Sequence, residues 1–300
     1  MSRIPASNQG DIHGRRTHHR HEQRHRPHYR PRCCKSRPHS LRNDAKPFAG
    51  PQLAEHAAAE NLPINISAVD LDSDALVQSG IEAIYKEVGH IDVLVNNAGV
   101  ERNGSIEELP LSEFRAVMET NYFGALRCIK AVIRDMRQQR SGYIVNVTSV
   151  ARRVSTSPLG PYAASKFALE APSEALAQEM KMFGVRVAIV EPGIIDTAMA
   201  RGLGGPMRDS LYPHQRRFAH MIAASLRSPR PSNLVGEKIL EIIESGTWQL
   251  RHPVGPDAEP FLASRRATTD EDYVTLHGSE DDAWYETMEK NTGLSIRPRD

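Results

Sequence analysis

The sequence has few cysteines, few aromatic residues and no long apolar run. It holds 3 cysteines and 6% aromatic residues in 300 positions, and no stretch approaches the roughly 20 apolar residues of a membrane-spanning helix. The N-terminus also lacks the apolar core of a secretory signal. Adjacent Cys33 and Cys34 with a distant Cys128 form neither a disulfide framework nor a metal-binding spacing. We therefore expect a cytoplasmic protein without a metal site.

Acidic and aliphatic residues are scarce in residues 1–50. This segment carries 12 Lys and Arg against 3 Asp and Glu, a net charge of +9 that leaves −8 for residues 51–300, and it holds 7 of the 13 histidines. Its composition predicts disorder. A nucleic-acid-binding arm and a metal-binding tract are the functional alternatives, but neither aromatic interleaving nor a fixed His and Cys spacing supports them.

From residue 51 onward, strand-like and helix-like patterns alternate. Apolar runs predict strands near residues 64–70, 91–95, 143–147, 185–190 and 248–254. Helical periodicity predicts helices that begin near Ser73, after Ser112, near Pro161 and near Leu234. Because the Val and Ile runs lack polar alternation, both faces of the sheet should be covered. The sequence thus predicts an α/β fold, a doubly wound, Rossmann-like parallel sheet with helices on both faces.

A tyrosine and a lysine four residues apart carry the clearest catalytic signal. Tyr162 and Lys166 should meet on one face of a helix, where an ammonium group next to a phenol favours the phenolate and lowers its pKa. Such a pair can work as an acid and base. Ser149, just after a predicted strand, can donate a hydrogen bond to a substrate oxygen on which charge develops.

These residues sit in a wider pattern that resembles the short-chain dehydrogenase/reductase family over about residues 51–255. The matching positions are Asp70, Asn96, Asn97, Ala98, Gly99, Asn121, Ser149, Tyr162, Lys166, Pro192, Gly193 and Thr197. The resemblance implies a nicotinamide-dependent oxidoreductase, NAD(P) as cofactor, a small alcohol or ketone as substrate, and a homo-oligomer. It implies neither a nucleic-acid nor a membrane partner.

The resemblance also assigns roles to single residues. Tyr162 would be the acid/base residue, Ser149 would orient the substrate oxygen, and Lys166 would bind the nicotinamide ribose while lowering the tyrosine pKa. Asn121 would hold a proton-relaying water. The remaining positions would bind the cofactor: Asp70 the adenine, Asn97, Ala98 and Gly99 the adenine ribose, and Pro192, Gly193, Ile195 and Thr197 the nicotinamide amide.

Three of these positions have a simpler interpretation. Asp70 could cap the next helix, Asn121 could be an ordinary polar helix residue, and Pro192-Gly193 could only mark a turn. Two departures from the family pattern stand out: Pro172 lies inside the predicted Tyr162 helix, where proline is costly, and Arg152 stands near the site where a small residue is common.

The glycine-rich phosphate loop of the family, Thr-Gly-x-x-x-Gly-x-Gly, is absent before Asp70. The first strand, loop and helix of the fold would then be missing or disordered. Rereading the codons one base later permits Leu-Ile-Thr-Gly-Thr-Ser-Ser-Gly-Ile-Gly for residues 17–26, and a strand followed by a basic residue for residues 36–46. Our hypothesis is that residues from about 11 to 49 are out of frame. The arginine that the shifted frame permits at Ala45 slightly favours NADP.

Three functions therefore stay open from the sequence. The first is hydride transfer on an alcohol or ketone, steroid-like, retinol-like or a simple carbonyl compound, because residues 197–233 are rich in apolar side chains, although ordinary packing explains these equally well. The second is a catalytically impaired product of the same family. The third is a basic-armed binding protein. Residues 256–300 form a carboxyl-terminal extension that either packs across the pocket or stays mobile.

Overall fold

Six parallel strands form two separate sheets in this computed structural model, which describes residues 39–42, 55, 58–204 and 209–298. The strands are β1 (His39–Arg42), β2 (Asn65–Ala68), β3 (Val93–Asn96), β4 (Gly142–Val147), β5 (Val185–Pro192) and β6 (Arg251–Val254). β1 pairs with β2, whereas β3, β4, β5 and β6 form a four-stranded sheet in that order. All pairings are parallel.

Helices connect these strands and follow the last of them. They are α1 (Asp74–Val88), α2 (Leu111–Met118), α3 (Ala125–Gln139), α4 (Gly160–Lys181), α5 (Ala198–Leu203), α6 (His214–Ser225), α7 (Asn233–Ser245), α8 (Ala258–Ala267), α9 (Asp270–His277) and α10 (Asp281–Thr292). α1 begins where the sequence predicted, near Ser73. Ser73 is its N-terminal cap, because the Ser73 Oγ accepts a hydrogen bond from the Leu76 backbone N–H at 3.3 Å.

Both faces of the four-stranded sheet are covered, as the uninterrupted Val and Ile runs predicted. On one face, Ile144 and Val187 pack with Val77 and Ile81 of α1 and Val132 of α3. On the other face, a second cluster joins the sheet to α7: Tyr143, Val145, Val147, Ala188, Val190, Val254 and Ile242. The predicted α/β fold with a parallel sheet and helices on both faces is confirmed.

The long helix predicted after Ser112 is not one regular helix. It begins at Leu111 behind Pro110 and changes to a π-helical turn over Glu119–Gly124 before α3 continues. A π-helical turn of this kind rotates the side chains that follow it and is common at functional sites. Periodicity alone did not indicate it, because the apolar spacing on both sides of the turn stays close to helical.

The second departure noted in the sequence, Pro172, does not end its helix. α4 runs from Gly160 to Lys181 with Pro172 inside it and Pro161 in its first turn. Beyond the helix, Gly184 adopts a φ of 74°, a left-handed conformation that suits glycine. The chain then enters β5 at once.

The basic segment of residues 1–50 contributes only β1 to the described structure. His39–Arg42 lies within the stretch whose shifted-frame reading looks like a strand, and it pairs with β2 residue for residue. The other residues of the segment lie outside the described part of the chain. Its predicted disorder, the missing first unit of the fold and the shifted-frame hypothesis therefore stay predictions.

Residues 256–300 pack against α6 over their described part. Trp284, Tyr285 and Met288 of α10 form an apolar cluster with Ala224 of α6, and Arg217 Nε donates to the Asp281 carboxylate at 2.6 Å. Tyr273 of α9 donates its hydroxyl proton to the Ser155 carbonyl oxygen at 3.1 Å. The extension thus contacts the chain that follows β4.

Among the helices of the described residues, none is long and apolar enough to cross a membrane.

Candidate active site

Tyr162 and Lys166 lie one turn apart in the first half of α4. The Lys166 Nζ lies 5.5 Å from the centroid of the Tyr162 ring and donates a hydrogen bond to the Val147 carbonyl oxygen at 3.0 Å. Because Val147 is the last residue of β4, this bond ties α4 to the carboxyl end of the strand that precedes Ser149. Lys166 is buried, with 4% of its surface exposed.

Ser149 stands where the sequence placed it, just past β4. Its Oγ accepts a hydrogen bond from the Ala151 backbone N–H at 3.1 Å and caps a short 3-10 turn over Val150–Arg152. The same Oγ lies 3.5 Å from the Pro192 carbonyl oxygen and forms a hydrogen bond with the Tyr162 side chain. Two oxygen atoms that can contact a substrate carbonyl or alcohol therefore lie together.

Asn121 lies in the π-helical turn with 1% of its surface exposed, and its side chain holds the loop after β3. Asn121 Oδ1 accepts from the Val100 N–H at 2.8 Å, and Nδ2 donates to the Val100 carbonyl oxygen at 2.9 Å. Nδ2 also donates to Ser165 Oγ at 2.9 Å. Because these bonds are buried and specific, Asn121 is not an ordinary polar helix residue.

Gly99 allows this loop to approach the site closely. A Cβ atom at Gly99 would lie 3.3 Å from Asn121 Oδ1 and 3.7 Å from Lys166 Nζ, so a side chain here would crowd the Asn121 amide and touch the Lys166 ammonium group. The structure therefore brings Gly99 together with Asn121, Ser149, Tyr162 and Lys166, the four residues that the sequence analysis proposed as catalytic.

Burial dominates the proton affinities of the central pair. Burial, followed by the charge of Glu101, raises the pKa of Tyr162 well above its ordinary value, and the hydrogen bond with Ser149 only partly opposes this. Burial lowers the pKa of Lys166 to about 8, with Glu101 acting in the opposite direction. The lowered Tyr162 pKa expected from the Tyr162–Lys166 spacing is not found, because desolvation of the phenolate and the charge of Glu101 both oppose ionisation.

The segment after β5 is fixed by an aspartate that the sequence did not single out. Asp257 Oδ2 accepts a hydrogen bond from the Ile194 N–H at 2.7 Å, and the Gly193 N–H donates to the Val254 carbonyl oxygen at 2.9 Å. A Cβ at Gly193 would lie 2.4 Å from the Asp257 carboxylate, so glycine is required here. Pro192-Gly193 is thus more than a turn marker. The segment continues through buried Ile195 to Thr197, whose side chain caps α5.

Asp70, Asn97 and Ala98 are not joined to this group by contacts in the described structure. Asp70 is exposed beyond β2, and its Oδ1 accepts from the Asp72 N–H at 3.0 Å, a local turn contact. Asn97 is exposed, and Ala98 packs on the apolar cluster of α1 and α3. β2 pairs with β1 and not with the four-stranded sheet, although Val69 and Leu71 on either side of Asp70 are buried in the same core cluster as Ile144.

A buried ion-pair network joins the chain segments that carry the site residues, and the sequence did not predict it. Arg152 pairs with Glu191 of β5 and lies 3.5 Å from the Glu170 carboxylate of α4. Arg251 of β6 donates to Glu170 at 3.0 Å, and Thr148 Oγ1 donates to Glu170 at 3.1 Å. Arg152 therefore points into this network, which connects the chain segments that carry Ser149, Tyr162 and Pro192. The network is non-local, so no spacing in the sequence indicates it.

Glu101 is the remaining residue that sequence reasoning missed, although it stands only two positions after the Asn-Ala-Gly motif. Its Oε1 is buried and has no hydrogen-bond partner among the described residues. Burial raises the pKa of Glu101 to about 7, against the opposing effect of Lys166. An acidic residue two positions after Gly99 is the only sequence signal that could have identified it.

The described residues fit the nicotinamide side of a dinucleotide better than its phosphate side. Lys166 has three N–H donors and gives one to Val147, so donors remain for ribose hydroxyl groups next to Ser149 and Tyr162. By contrast, the described residues include no glycine-rich turn from a strand into a helix N-terminus, which is what binds pyrophosphate in such folds. Within the same residues, no group of three His, Cys, Asp or Glu side chains is arranged for a metal ion.

Comparisons with known proteins find similarity to dehydrogenases in both sequence and structure. A family model described as short chain dehydrogenase matches residues 39–206. The chain is similar to retinol dehydrogenase 8 of Bos taurus, at 41% identity over 70% of either protein. It resembles the structure of a short-chain dehydrogenase from Streptomyces avermitilis, with a TM-score of 0.64, 25% identity, and 85% and 88% of the two chains covered. It also resembles a gluconate 5-dehydrogenase from Burkholderia cenocepacia in complex with NADP and tartrate, with a TM-score of 0.51, 26% identity, and 56% and 65% covered.

Proposed function

Because the chain belongs to the short-chain dehydrogenase family, we propose that it transfers a hydride between NAD(P) and an alcohol or ketone, with Tyr162 as the acid/base residue. The observation that carries the proposal is the convergence of Ser149, Tyr162 and Lys166 at the carboxyl end of β4. Ligands bind at this edge of doubly wound sheets. The bound nicotinamide would supply the hydride acceptor or donor.

The chain's own residues would then divide the proton chemistry. Ser149 donates a hydrogen bond to the substrate oxygen, and Tyr162 gives that oxygen a proton during reduction or removes it during oxidation. Lys166 stabilises the phenolate with its charge and binds ribose hydroxyl groups. The contacts of Asn121 support a role in fixing the Val100 backbone, while its role in holding a relay water stays a prediction.

The cofactor assignment is supported unequally along the dinucleotide. The positions of Tyr162, Lys166, Pro192 and Gly193 support nicotinamide and ribose binding; Ile195 and Thr197 continue the same segment. Roles for Asp70, Asn97, Ala98 and Gly99 at the adenosine half rest on the family pattern alone. The gluconate 5-dehydrogenase structure contains NADP, and the preference of this chain for NADP rests on the shifted-frame arginine at Ala45.

We propose a lipophilic substrate because exposed apolar side chains lie along the chain that borders the site. Ile106, Met199 and Leu211 are 70%, 38% and 85% exposed. The Ile106 side chain reaches the position where a Cβ on Gly160 would stand, two residues before Tyr162, and Leu211 is tied to Glu108 by a backbone hydrogen bond of 2.8 Å. Leu203, Phe218 and Met221, by contrast, pack into a core cluster with Leu159. Similarity to retinol dehydrogenase 8 points to the same substrate class.

We also propose that the chain forms a homo-oligomer. Phe123 in the π-helical turn and Phe167 of α4 are 44% and 43% exposed, and large exposed aromatic side chains favour burial in an interface. The cytoplasmic location expected from the sequence stays a prediction.

A second candidate function is a catalytically impaired member of the family. The observation that favours it is the absence of the glycine-rich loop from the written sequence. Reading the gene across codons 10–50 tests the shifted-frame explanation: codons at Arg20, Arg24 and Arg26 that cannot yield glycine one base later would exclude it.

The third candidate, a basic-armed binding protein, is tested separately by salt-dependent retention on nucleic acid. That retention should disappear when residues 1–50 are deleted.

Turnover at high cofactor concentration tests the proposal. The purified chain should oxidise retinol-like or steroid alcohols with millimolar oxidised NAD or NADP, or reduce the matching ketones with the same cofactors in reduced form. Nicotinamide absorbance measures the rate. Tyr162→Phe should reduce kcat by about 100-fold or more. Tyr143→Phe is the matched control, since this phenol lies at the start of β4 and donates to Thr247. Absence of turnover across these substrates, or equal rates in both variants, would contradict the proposal.

A further inference from the structure

A glutamate in the loop after β3 binds the chain that leads into α6. Glu108 Oε1 accepts a hydrogen bond from the Leu211 backbone N–H at 2.8 Å, and Glu108 Oε2 accepts one from Ser210 Oγ at 2.7 Å. The neighbouring Glu107 carboxylate accepts a hydrogen bond from the Tyr212 hydroxyl. Because the partners are 102 to 105 positions apart in the sequence, these bonds exist only in the folded chain.

The turn that carries Glu108 orients its carboxylate. Ser105 Oγ donates to Glu108 Oε2 at 2.8 Å and accepts from the Glu108 backbone N–H at 3.1 Å, and Ser105 itself is buried. On the other segment, Ser210 Oγ accepts from the Tyr212 N–H at 3.1 Å. The Leu211 N–H, followed by the Ser210 and Ser105 hydroxyl groups, holds the pKa of Glu108 below its ordinary value. Glu108 therefore receives these bonds as a carboxylate, and charge-assisted bonds are stronger than neutral ones.

The loop that carries Glu108 lies against the start of α4. The Gly104 N–H donates to the Pro158 carbonyl oxygen at 3.1 Å. The Ile106 side chain lies 2.8 Å from the position that a Cβ on Gly160 would take, and Tyr162 follows Gly160 by two residues. The loop therefore borders the first turn of the helix that carries the proposed acid/base residue.

Helix α6, into which the bound segment leads, packs at the same edge of the sheet. Phe218 and Ile222 of α6 form a core cluster with Leu159, and Ile194 packs against this cluster. Leu159 directly precedes α4, and Ile194 belongs to the segment after β5. Residues 210–212 and α6 thus contact the segments that follow β3, β4 and β5. Ligands bind at this edge of doubly wound sheets.

The apolar side chains that meet here are not held by core packing. Ile106 and Leu211 are 70% and 85% exposed, and neither belongs to a core cluster of the described residues. Burial of apolar surface therefore does not fix residues 210–212 against the loop after β3. The hydrogen bonds of Glu108, with the bond from Tyr212 to Glu107, hold them there.

We propose that Glu108 is a positioning residue that determines substrate specificity: by binding residues 210–212, it holds Leu211 at the loop that carries Ile106, and the two side chains form an apolar wall for a long lipophilic substrate. Glu108 acts through the position of Leu211 and takes no part in proton transfer. The inference rests on the proposed function for the substrate that this wall receives.

Hydrogen exchange of the full chain tests the first part of the proposal without cofactor or substrate. Glu108→Ala removes the acceptor of the Leu211 N–H and the partner of Ser210, so the backbone amides of residues 210–212 should exchange at least about tenfold faster. Glu108→Gln keeps one carbonyl oxygen as an acceptor and should give a smaller increase. Glu82→Ala is the matched control, because this exposed carboxylate accepts a hydrogen bond from Gln78 on α1. Mass spectrometry of peptides that span residues 210–212 measures the rates.

Steady-state kinetics test the effect on the substrate. With retinol, a long lipophilic alcohol, Glu108→Ala should raise KM by about tenfold and leave kcat within about twofold of the wild type, because only binding is weakened. With isopropanol, which has little apolar surface to bury, KM should stay unchanged. A general loss of structure would instead lower kcat for both alcohols. Glu82→Ala should match the wild type throughout.

Each result decides a separate part of the proposal. Wild-type exchange in Glu108→Ala, or the same increase in Glu82→Ala, would show that Glu108 does not hold residues 210–212. Faster exchange with an unchanged KM for retinol, or an equal rise in KM for isopropanol, would overturn the role in substrate specificity. If the wild-type chain turns over neither alcohol, the proposed function fails. The exchange rates alone then decide whether Glu108 holds the segment.

Discussion

The region around β4 and α4 and the region around β1 and β2 differ in how completely the described chain builds them. In β4, Tyr143 to Val147 are buried, and the strand has a parallel neighbour on each side. β2 exposes Ser67 and Ala68, and β3 ends the four-stranded sheet with Val95 exposed at its edge. Both regions have strand-forming sequences, but only the first has partners for both edges of its strands.

The comparison shows which half of the proposed site lies in the well-packed region. The residues proposed for proton transfer lie at the carboxyl end of β4 and on α4, within the well-packed region. Those proposed for the adenosine half of the cofactor, such as Asp70, lie beyond β2. A strand and phosphate loop between β1 and β3 would complete the sheet, and the shifted reading frame contains a sequence that fits both.

The largest effect is expected from breaking the ion-pair network of the well-packed region. Arg152→Met leaves Glu191, 1% exposed, without its cation, so we expect a loss of about 3–5 kcal/mol in the free energy of unfolding. Combining it with Glu191→Leu should recover most of this loss. Arg153→Met changes an exposed neighbour and should cost less than about 0.5 kcal/mol. Urea unfolding measures the free energy of unfolding of Arg152→Met, the double variant and Arg153→Met. A loss in the double variant that is no smaller than in Arg152→Met would show that Arg152 and Glu191 are not coupled.

A smaller effect is expected from Asn121, which holds the loop after β3 against α4. Asn121→Ala removes buried hydrogen bonds to Val100 and Ser165 and should lower the free energy of unfolding by about 2–3 kcal/mol. Asn233→Ala is the control, because its amide reaches only the exposed Glu237. Equal stability of the two variants would mean that the loop is not fixed through Asn121.

The smallest effect compares the edge of the four-stranded sheet with its interior. Val95 of β3 and Val145 of β4 are partners in the strand register, yet they are 39% and 0% exposed. We expect Val145→Ala to cost about 2 kcal/mol and Val95→Ala less than about 1 kcal/mol. Thermal unfolding compares them. Similar losses would indicate that β3 is covered as fully as β4.

The signals that brought the candidate site residues together in the sequence are local. Tyr162 and Lys166 share a helix face, and Ser149 and Pro192 follow strands whose apolar runs are unmistakable. The strands and helices that were predicted between residues 64 and 254 begin within a few residues of their observed starts, whereas α5, α6 and the helices after β6 were not predicted. What the sequence could not show depends on contacts between distant segments: the π-helical turn that orients Asn121, and the bond from Asp257 to Ile194 across 63 positions.

The prediction that the Tyr162 pKa is lowered was not met for a related reason. A four-residue spacing shows that an ammonium group is near. It does not show how far burial desolvates the phenolate or that the charge of Glu101 acts on it. Desolvation and a non-local charge decide the sign, and both are properties of the folded chain.

Dinucleotide affinity tests most directly the claim that the nicotinamide side of the site is built and the phosphate side is not. Reduced cofactor is titrated into the chain as written and into a chain whose residues 11–49 follow the shifted frame, with nicotinamide fluorescence as the readout. The account predicts weak binding by the written chain, in about the millimolar range, and affinity at least about 100-fold higher for the restored chain, or ~2.7 kcal/mol. Micromolar affinity of the written chain, or equal affinities of the two, would contradict it.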